Sequence, residues 1–600
     1  MHRLYQRFSR LYGEAGAMCT SRVAMMVNRY GVGSKVQTPA GLWSEMDSVL
    51  ITYGDTICSA DKAPLQTLRA FLSKRVKNAV SSVHILPFFP YSSDDGFSVI
   101  DYRKVNREFG NWSDIEAIAS EYRLMTDLVL NHVSRKSAWF KDYVSGILPA
   151  ERYFIEADPE TDLSAVVRPR TSPLLTSTQT RDGVRHLWTT FSHDQIDLDF
   201  SNPNVLFEFL DILFYHISKG ARVIRLDAIA YLWKRIGTTC IHLPETHEVV
   251  KIFRDVLAMV APDVILITET NVPHHENISY FGKGDEAHMV YQFSLPPLLL
   301  HALQTGTCRY LREWAASLDA PPPGCTFFNF TASHDGIGVR PLEGIIPAEE
   351  FQRLLDGVVQ RGGQVSTKKN EDGSESPYEL NITYFSALSD RDHPDPDRHV
   401  ARFMCSQAVA LALQGVPAVY IQSLLATEND LAGVKRTGRA RTINRKCWNE
   451  KSLLALLNNK NTPTARVFTD YTRLLRLRGE HHAFHPDGAQ QILDLGDRVF
   501  AVQRTAPDRS EIVVALHNMT DGPVKITVDD RIPSLAGATK WKEITRGRQR
   551  GKAGRILSLA PYEVCWLIAP RGVSGKGGAC AVDAVTRRVG TYKGCHSEEP

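Results

Sequence analysis

Eight short apolar runs, none of them alternating with polar residues, constrain this chain more than any other feature of its sequence. They read SVLITYGD (48–55), VHILPFFP (83–90), LMTDLVLNH (124–132), ARVIRLDAIAY (221–231), VILITET (264–270), MVYQFS (289–294), FFNFTASHD (327–335) and PAVYIQSLL (417–425). A strand with one wet face alternates. A strand of a parallel sheet, covered on both faces, is apolar throughout. Between the runs, stretches such as APLQTLRAFLSKRVKNA and PNVLFEFLDILFYHISKG carry apolar residues at helical spacing. Eight strand–helix units predict an α/β chain folded as a (β/α)8 TIM barrel.

Two gaps in the series are too long for a loop and one helix. Segment 133–200 holds Pro, Arg and Thr without helical period, and 340–400 is rich in Gly, Ser, Asp and Glu. Both are read as insertions, after strands 3 and 7, where barrel loops carry function. Beyond residue 480, RVFAVQRTA, EIVVALHNMT, VKITVDD and YEVCWLIAP read as short strands with polar turns. The expected division is therefore an N-terminal extension (1–45), a barrel (46–132 and 201–480) with its two insertions, a C-terminal antiparallel β domain (481–570) and a flexible tail (571–600). In 408–426, AVALALQGVPAVYIQSLLA reads as a buried helix, a turn at Gly415-Val416-Pro417 and a buried strand rather than a membrane span, which needs about 20 unbroken apolar residues.

Composition narrows the partners. Lys plus Arg number 70 and Asp plus Glu 67, a net charge of +3, so nothing draws the chain to nucleic acid or an anionic membrane. A small neutral or weakly anionic substrate fits better. The 10 cysteines are scattered without a C-x-x-C pair, and PHHEN (273–277) lacks a third ligand at metal spacing, so no metal is expected. Scattered thiols and the lack of a secretory apolar segment at the N-terminus lead us to expect a cytoplasmic protein, monomeric or homodimeric.

Chemistry should stand where the strand runs end. The third ends in Asn131-His132, the fourth contains Arg225 and Asp227, the fifth ends at Glu269-Thr270 and the seventh in His334-Asp335. One rim-exposed polar residue means little. Three acids, two histidines and an arginine on successive strands suit glycoside cleavage, where one carboxylate attacks and one carboxylic acid protonates the leaving oxygen.

VIRLDAIAY, ILITETN, ASHDGIG and LVLNH resemble the strand-end motifs of the α-amylase superfamily of glycoside hydrolases. HILPFFPYSSDDGFSVIDY, RPRTSPLLT, FSHDQIDLDF, PPLLLHAL, HDGIGVRPLEG, YELNITYFSAL and TGRARTINR resemble its sucrose phosphorylase branch, in the same order, from about residue 50 to beyond 560. The resemblance implies that Asp227 is the nucleophile, Glu269 the general acid/base and Asp335 the third acid. It implies that Arg225 aligns Asp227, that His132 and His334 bind sugar hydroxyls, that Asp94 and Arg445 grip the far side of glucose, and that Phe97, Phe191 and Gln195 line the pocket. Arg170 and Tyr378 match phosphate-contacting positions. It further implies double displacement with retention, inorganic phosphate as co-substrate and no cofactor.

The chain departs from the sucrose pattern at Asn271, where a His is usual, at Glu379, where a Gln is usual, and in TGRARTINR. These departures fit glucosylglycerate, glucosylglycerol or sucrose 6-phosphate phosphorylases, and glucosylglycerate is the expected substrate. Arg340 offers a cation to an anionic acceptor such as glycerate. The rival readings are a retaining glucosidase or transglucosidase using the same acids, separated by phosphate dependence, and an inactive sugar-binding homologue, which the presence of all three acids opposes.

Overall fold

A computed structural model describes residues 1–30, 41–370, 374–536, 541–550 and 556–568. The tail at 571–600, part of the N-terminal extension (31–40) and part of the charged KNEDGSESP stretch (371–373) lie outside the described residues.

Each of the eight apolar runs forms a barrel strand. They are β1 (Val49–Thr52), β2 (Ser82–Ile85), β3 (Arg123–Val129), β4 (Ala221–Asp227), β5 (Ile265–Thr268), β6 (Met289–Tyr291), β7 (Thr326–Phe330) and β8 (Val416–Tyr420). The barrel closes in chain order, with every neighbour parallel and β1 paired to both β2 and β8. The strands are buried almost throughout, which explains the missing alternation. Five helices that surround or follow the barrel begin on proline, at Pro64, Pro203, Pro244, Pro396 and Pro463, a residue whose fixed φ and absent N–H suit a first helical turn.

One local reading changes. The turn before β8 spans 413–415 and ends at Gly415, at φ +134, and Val416 and Pro417 already pair with Phe328 and Asn329. A Cβ at 415 would stand 2.5 Å from the Phe327 carbonyl oxygen, so the close approach of two barrel strands demands glycine.

The segment at 133–200 leaves β3 as a strand, His132–Ser134, pairs antiparallel with Gln195–Asp197, and carries a hairpin of Leu175–Thr180 with Gly183–Trp188. It also holds a helix, Ala138–Val144, too short to show a period in the sequence. After β7, Ile337–Gly338, Gln364–Lys369 and Glu375–Asn381 form a three-stranded sheet. Beyond residue 488, a six-stranded antiparallel sheet and a two-stranded partner enclose a second apolar core around Leu493, Val514, Trp541 and Leu567.

Helices α1 (His2–Tyr12) and α2 (Gly16–Tyr30) dock on α3 (Pro203–Ser218) and α4 (Pro244–Val260). Phe8 stacks on Phe207, centroids 5.9 Å apart. Arg7, 5 % exposed, meets Asp255 at 2.6 Å and Asp285 at 3.0 Å. Asp255 lies on α4, which connects β4 to β5. Replacing Arg7 leaves that carboxylate buried with only the exposed Arg3 as partner. We expect Arg7→Met to cost about 3 kcal/mol, read as a lower thermal midpoint. An unchanged midpoint would show that the clamp contributes nothing.

Candidate active site

The polar residues at the strand ends converge on one narrow pocket, with about 80 Å³ of internal space. Asp94, Phe97, His132, Arg170, Phe191, Gln195, Asp227, Glu269, Asn271, His334, Asp335, Tyr378 and Glu379 all line it. Arg445 lines the wider vestibule outside. Arg225 lies beneath, in the barrel interior, 2 % exposed. Arg340 lines neither space. It opens the short helical turn Arg340–Leu342, its Nε 3.8 Å from Glu343.

The barrel places the acids through one buried cation. Arg225 and Asp227 share a face of β4, being two residues apart. The guanidinium donates to Asp227 at 2.8 Å, lies 3.8 Å from Glu269 on β5's end, and donates to Asp127 on β3. Asp127 is in turn 2.7 Å from His84 on β2. Ala228, just past Asp227, adopts a left-handed φ of +49, and its N–H donates to Glu269 at 3.1 Å. Four neighbouring strands are thus tied together below the reacting carboxyls.

The electrostatics follow. Burial pushes Asp227 and Glu269 above the usual carboxylate range against the pull of Arg225, and neighbouring negative charge adds to the rise. Arg225 sits closer to Asp227 than to Glu269, which favours the charged form of Asp227 more than that of Glu269. Burial acts on Asp335 too, but Arg441 and Arg445 outweigh it and hold that carboxyl below its usual value. Burial lowers His132 and His334, so both rings are neutral hydrogen-bonding groups.

Around the acids, His334 stacks on Phe97, ring centroids 4.8 Å apart. Phe191 packs against His132 and Tyr231. Gln195 Nε2 donates to Asp94 at 3.3 Å and lies 3.0 Å from His132 Nε2. Of the two residues expected to grip the far side of glucose, Arg445 binds Asp95 at 2.6 Å and the His334 carbonyl at 2.7 Å. Asp94 faces the pocket with no ion pair to an arginine among the described residues. Arg170 lies 5.8 Å over Phe191 and 6.0 Å over Tyr378, and makes no ion pair among the described residues. Asn271 is pressed against Gly338, where a Cβ would come within 2.5 Å of its amide oxygen.

Sequence reasoning passed over Arg441. It pairs with Asp335 at 2.6 Å and with Glu379 at 2.6 and 3.0 Å. Glu379 also accepts from the Gly336 N–H at 2.5 Å, tying the inserted sheet to the third acid. Three arginines within TGRARTINR were the available signal. Asp127 was missed as well, though an acid inside the apolar run LMTDLVLNH demands a buried partner. Among the described residues, no group of three or more His, Cys, Asp or Glu is arranged to hold a metal ion, and no helix is long and apolar enough to cross a membrane.

Comparison with known proteins agrees with this geometry. The family model described as the α-amylase catalytic domain matches residues 77–316. A glucosylglycerate phosphorylase of Spirochaeta thermophila is 48% identical over 527 residues, 87% of this chain and 89% of that protein. One from Escherichia coli is 46% identical, covering 88% and 92%. The crystal structure of sucrose 6F-phosphate phosphorylase from Thermoanaerobacter thermosaccharolyticum superposes with a TM-score of 0.69 at 28% identity, covering 79% of this chain and 94% of that one.

The buried network carries a pH signature. Burial would raise Asp127, but His84 and Arg225 override it and hold the carboxyl at about 2, against about 3.9 unfolded. The native state then binds fewer protons. The resulting stability, about 2–3 kcal/mol, is complete above pH ~4 and is lost as pH falls towards 2. The thermal midpoint of the wild type should fall more steeply over that window than that of Asp127→Asn. Parallel curves would remove Asp127 from the network.

Proposed function

The chain belongs to the sucrose phosphorylase branch of the α-amylase superfamily, among the glucosylglycerate phosphorylases, and from that membership we propose that it is a retaining α-glucoside phosphorylase acting on 2-O-α-glucosylglycerate. Asp227, closer to Arg225 than Glu269 is, attacks the anomeric carbon. Glu269, which keeps the proton, delivers it to the leaving glycerate oxygen. Phosphate then takes the glucosyl group, with Glu269 as base, to yield α-glucose 1-phosphate with retained configuration. Asp335, held ionised by Arg441 and Arg445, binds sugar hydroxyls and supports the developing positive charge. Phe97 and His334 supply a flat wall against the ring. Asp94, His132 and Gln195 accept or donate to the remaining hydroxyls. The reaction needs phosphate as co-substrate and no cofactor, and scattered thiols favour a cytoplasmic setting.

One observation carries the phosphorylase reading over a hydrolase. Arg170 stands at the pocket with no carboxylate to neutralise it among the described residues, over Phe191 and Tyr378. An unpaired guanidinium beside acids is the chemistry for an anionic co-substrate. Asn271 and Glu379, the departures from the sucrose pattern, line the same side of the pocket. They support an acceptor other than fructose, and glycerate, itself an anion, suits the same cation.

Three outcomes test this. Asp227→Ala should lose about four orders of magnitude or more in turnover while remaining folded; substantial residual activity excludes it as nucleophile. Arg170→Ala should raise the KM for phosphate about tenfold or more, and glucose release that is indifferent to phosphate would make the enzyme a hydrolase. In the reverse direction, glucose 1-phosphate offered glycerate, glycerol, fructose or fructose 6-phosphate should be consumed fastest with glycerate. Preference for any other acceptor corrects the substrate.

A further inference from the structure

A second cavity, of about 350 Å³, lies where the barrel helices meet the C-terminal β domain, and it shares no lining residue with the pocket of the three acids. Its walls come from the end of α5 (Leu295–Thr305), from Arg361 just past α6 (Ala348–Gln360), from the segment 388–398, from Arg402 on α7 (Pro396–Ala412), and from Asp521 and Tyr562.

The chemistry of this cavity is unbalanced. Arg402 is 8 % exposed, lies 5.6 Å over Tyr562, and donates only to the carbonyls of Leu303 and Leu388. Arg361 donates to the carbonyls of Ser389 and Gly357, both at 2.8 Å. Neither makes an ion pair among the described residues. Each guanidinium has five N–H donors, so both keep donors beyond these bonds. Burial, and then the charge of Arg402, push the Arg361 guanidinium down. Two like charges thus share a partly desolvated space, a situation that a bound anion relieves. Asp390, Asp392, Asp395 and Asp521 line the same cavity, as does Arg398, 4.0 Å from Asp395. The four carboxylates sit beyond ion-pair distance of Arg361 and Arg402, where Asp390 and Asp392 offset only part of the charge on Arg361, and they are acceptors for hydroxyl groups.

The position gives the cavity a consequence. Between Arg361 and Leu388 the chain makes the inserted strands Gln364–Lys369 and Glu375–Asn381, which bring Tyr378 and Glu379 to the active-site pocket. Arg361 and the Leu388 carbonyl are the two feet of that insertion, and Arg402 already binds the second.

We propose that this cavity is a second ligand site, for a phosphorylated sugar. Its phosphate bridges Arg361 and Arg402, its hydroxyls face the aspartates of the cavity, and its occupancy braces the insertion that carries Tyr378 and Glu379. The site does not depend on which glucoside the enzyme cleaves.

Glucose 6-phosphate is the probe, and titration calorimetry on the full-length protein is the measurement. Binding should survive Arg170→Ala and weaken about tenfold or more in Arg361→Gln. The opposite pattern would place the ligand in the active site and overturn the proposal, as would no binding to the wild type. Inorganic phosphate should bind more weakly than glucose 6-phosphate; equal affinity would reject the sugar. Arg402→Gln should behave like Arg361→Gln, but Arg402 also holds helix carbonyls, so the more accessible Arg361 is the primary variant. Without added ligand, Arg361→Gln should turn over at the wild-type rate. Glucose 6-phosphate should change turnover in the wild type and leave that of Arg361→Gln unaltered. Binding with no effect on wild-type turnover would overturn the bracing role.

Discussion

The active site depends on one guanidinium buried inside a barrel. Arg225 contacts Asp127, Asp227 and Glu269, which come from three neighbouring strands. A lone charge at that depth would be prohibitive, and so would three uncompensated carboxylates. Together they are tolerable because each answers the other's charge and their geometry is set by strands that cannot shift independently. The same arrangement separates two chemically identical groups. Of the two strand-end carboxyls, Asp227 lies closer to the cation and Glu269 1.0 Å farther from it. In the proposed reaction that difference separates nucleophile from acid.

A second layer of charge is built from the insertions. Arg441 spans Asp335 and Glu379, while Glu379 accepts from the Gly336 N–H, so the loop after β7 folds back on the acid at β7's own end. Arg445 binds Asp95. The cations near the pocket therefore fall into two kinds. Arg225, Arg441 and Arg445 are spoken for by protein carboxylates and organise the site. Among the described residues Arg170 is not, and this is what makes a phosphate-using reaction physically reasonable here.

Much of the architecture was legible in the sequence, for a definite reason. A strand covered on both faces has to be apolar along its length, and a polar residue at its end has to have a purpose, so the eight runs and their terminal acids were visible without coordinates. Short or irregular elements were not. The seven-residue helix Ala138–Val144 is too brief to establish a period. The start of β8 at Val416 was hidden by Pro417, which reads as a turn residue although the barrel accommodates it. Arg340, plausible as an acceptor cation from its place just past Asp335, lies outside the pocket.

By itself the sequence determined the barrel, the placing of three acids at its strand ends and the branch of the superfamily, because these rest on local pattern and on motifs contiguous in the chain. Only the tertiary structure decided which cation serves which carboxylate. Arg441 and Asp335 are more than a hundred residues apart, as are Arg7 and Asp255, and Arg445 and Asp95. Pairings of this kind depend on where the closed barrel and its insertions bring side chains together, and no local periodicity records that distance.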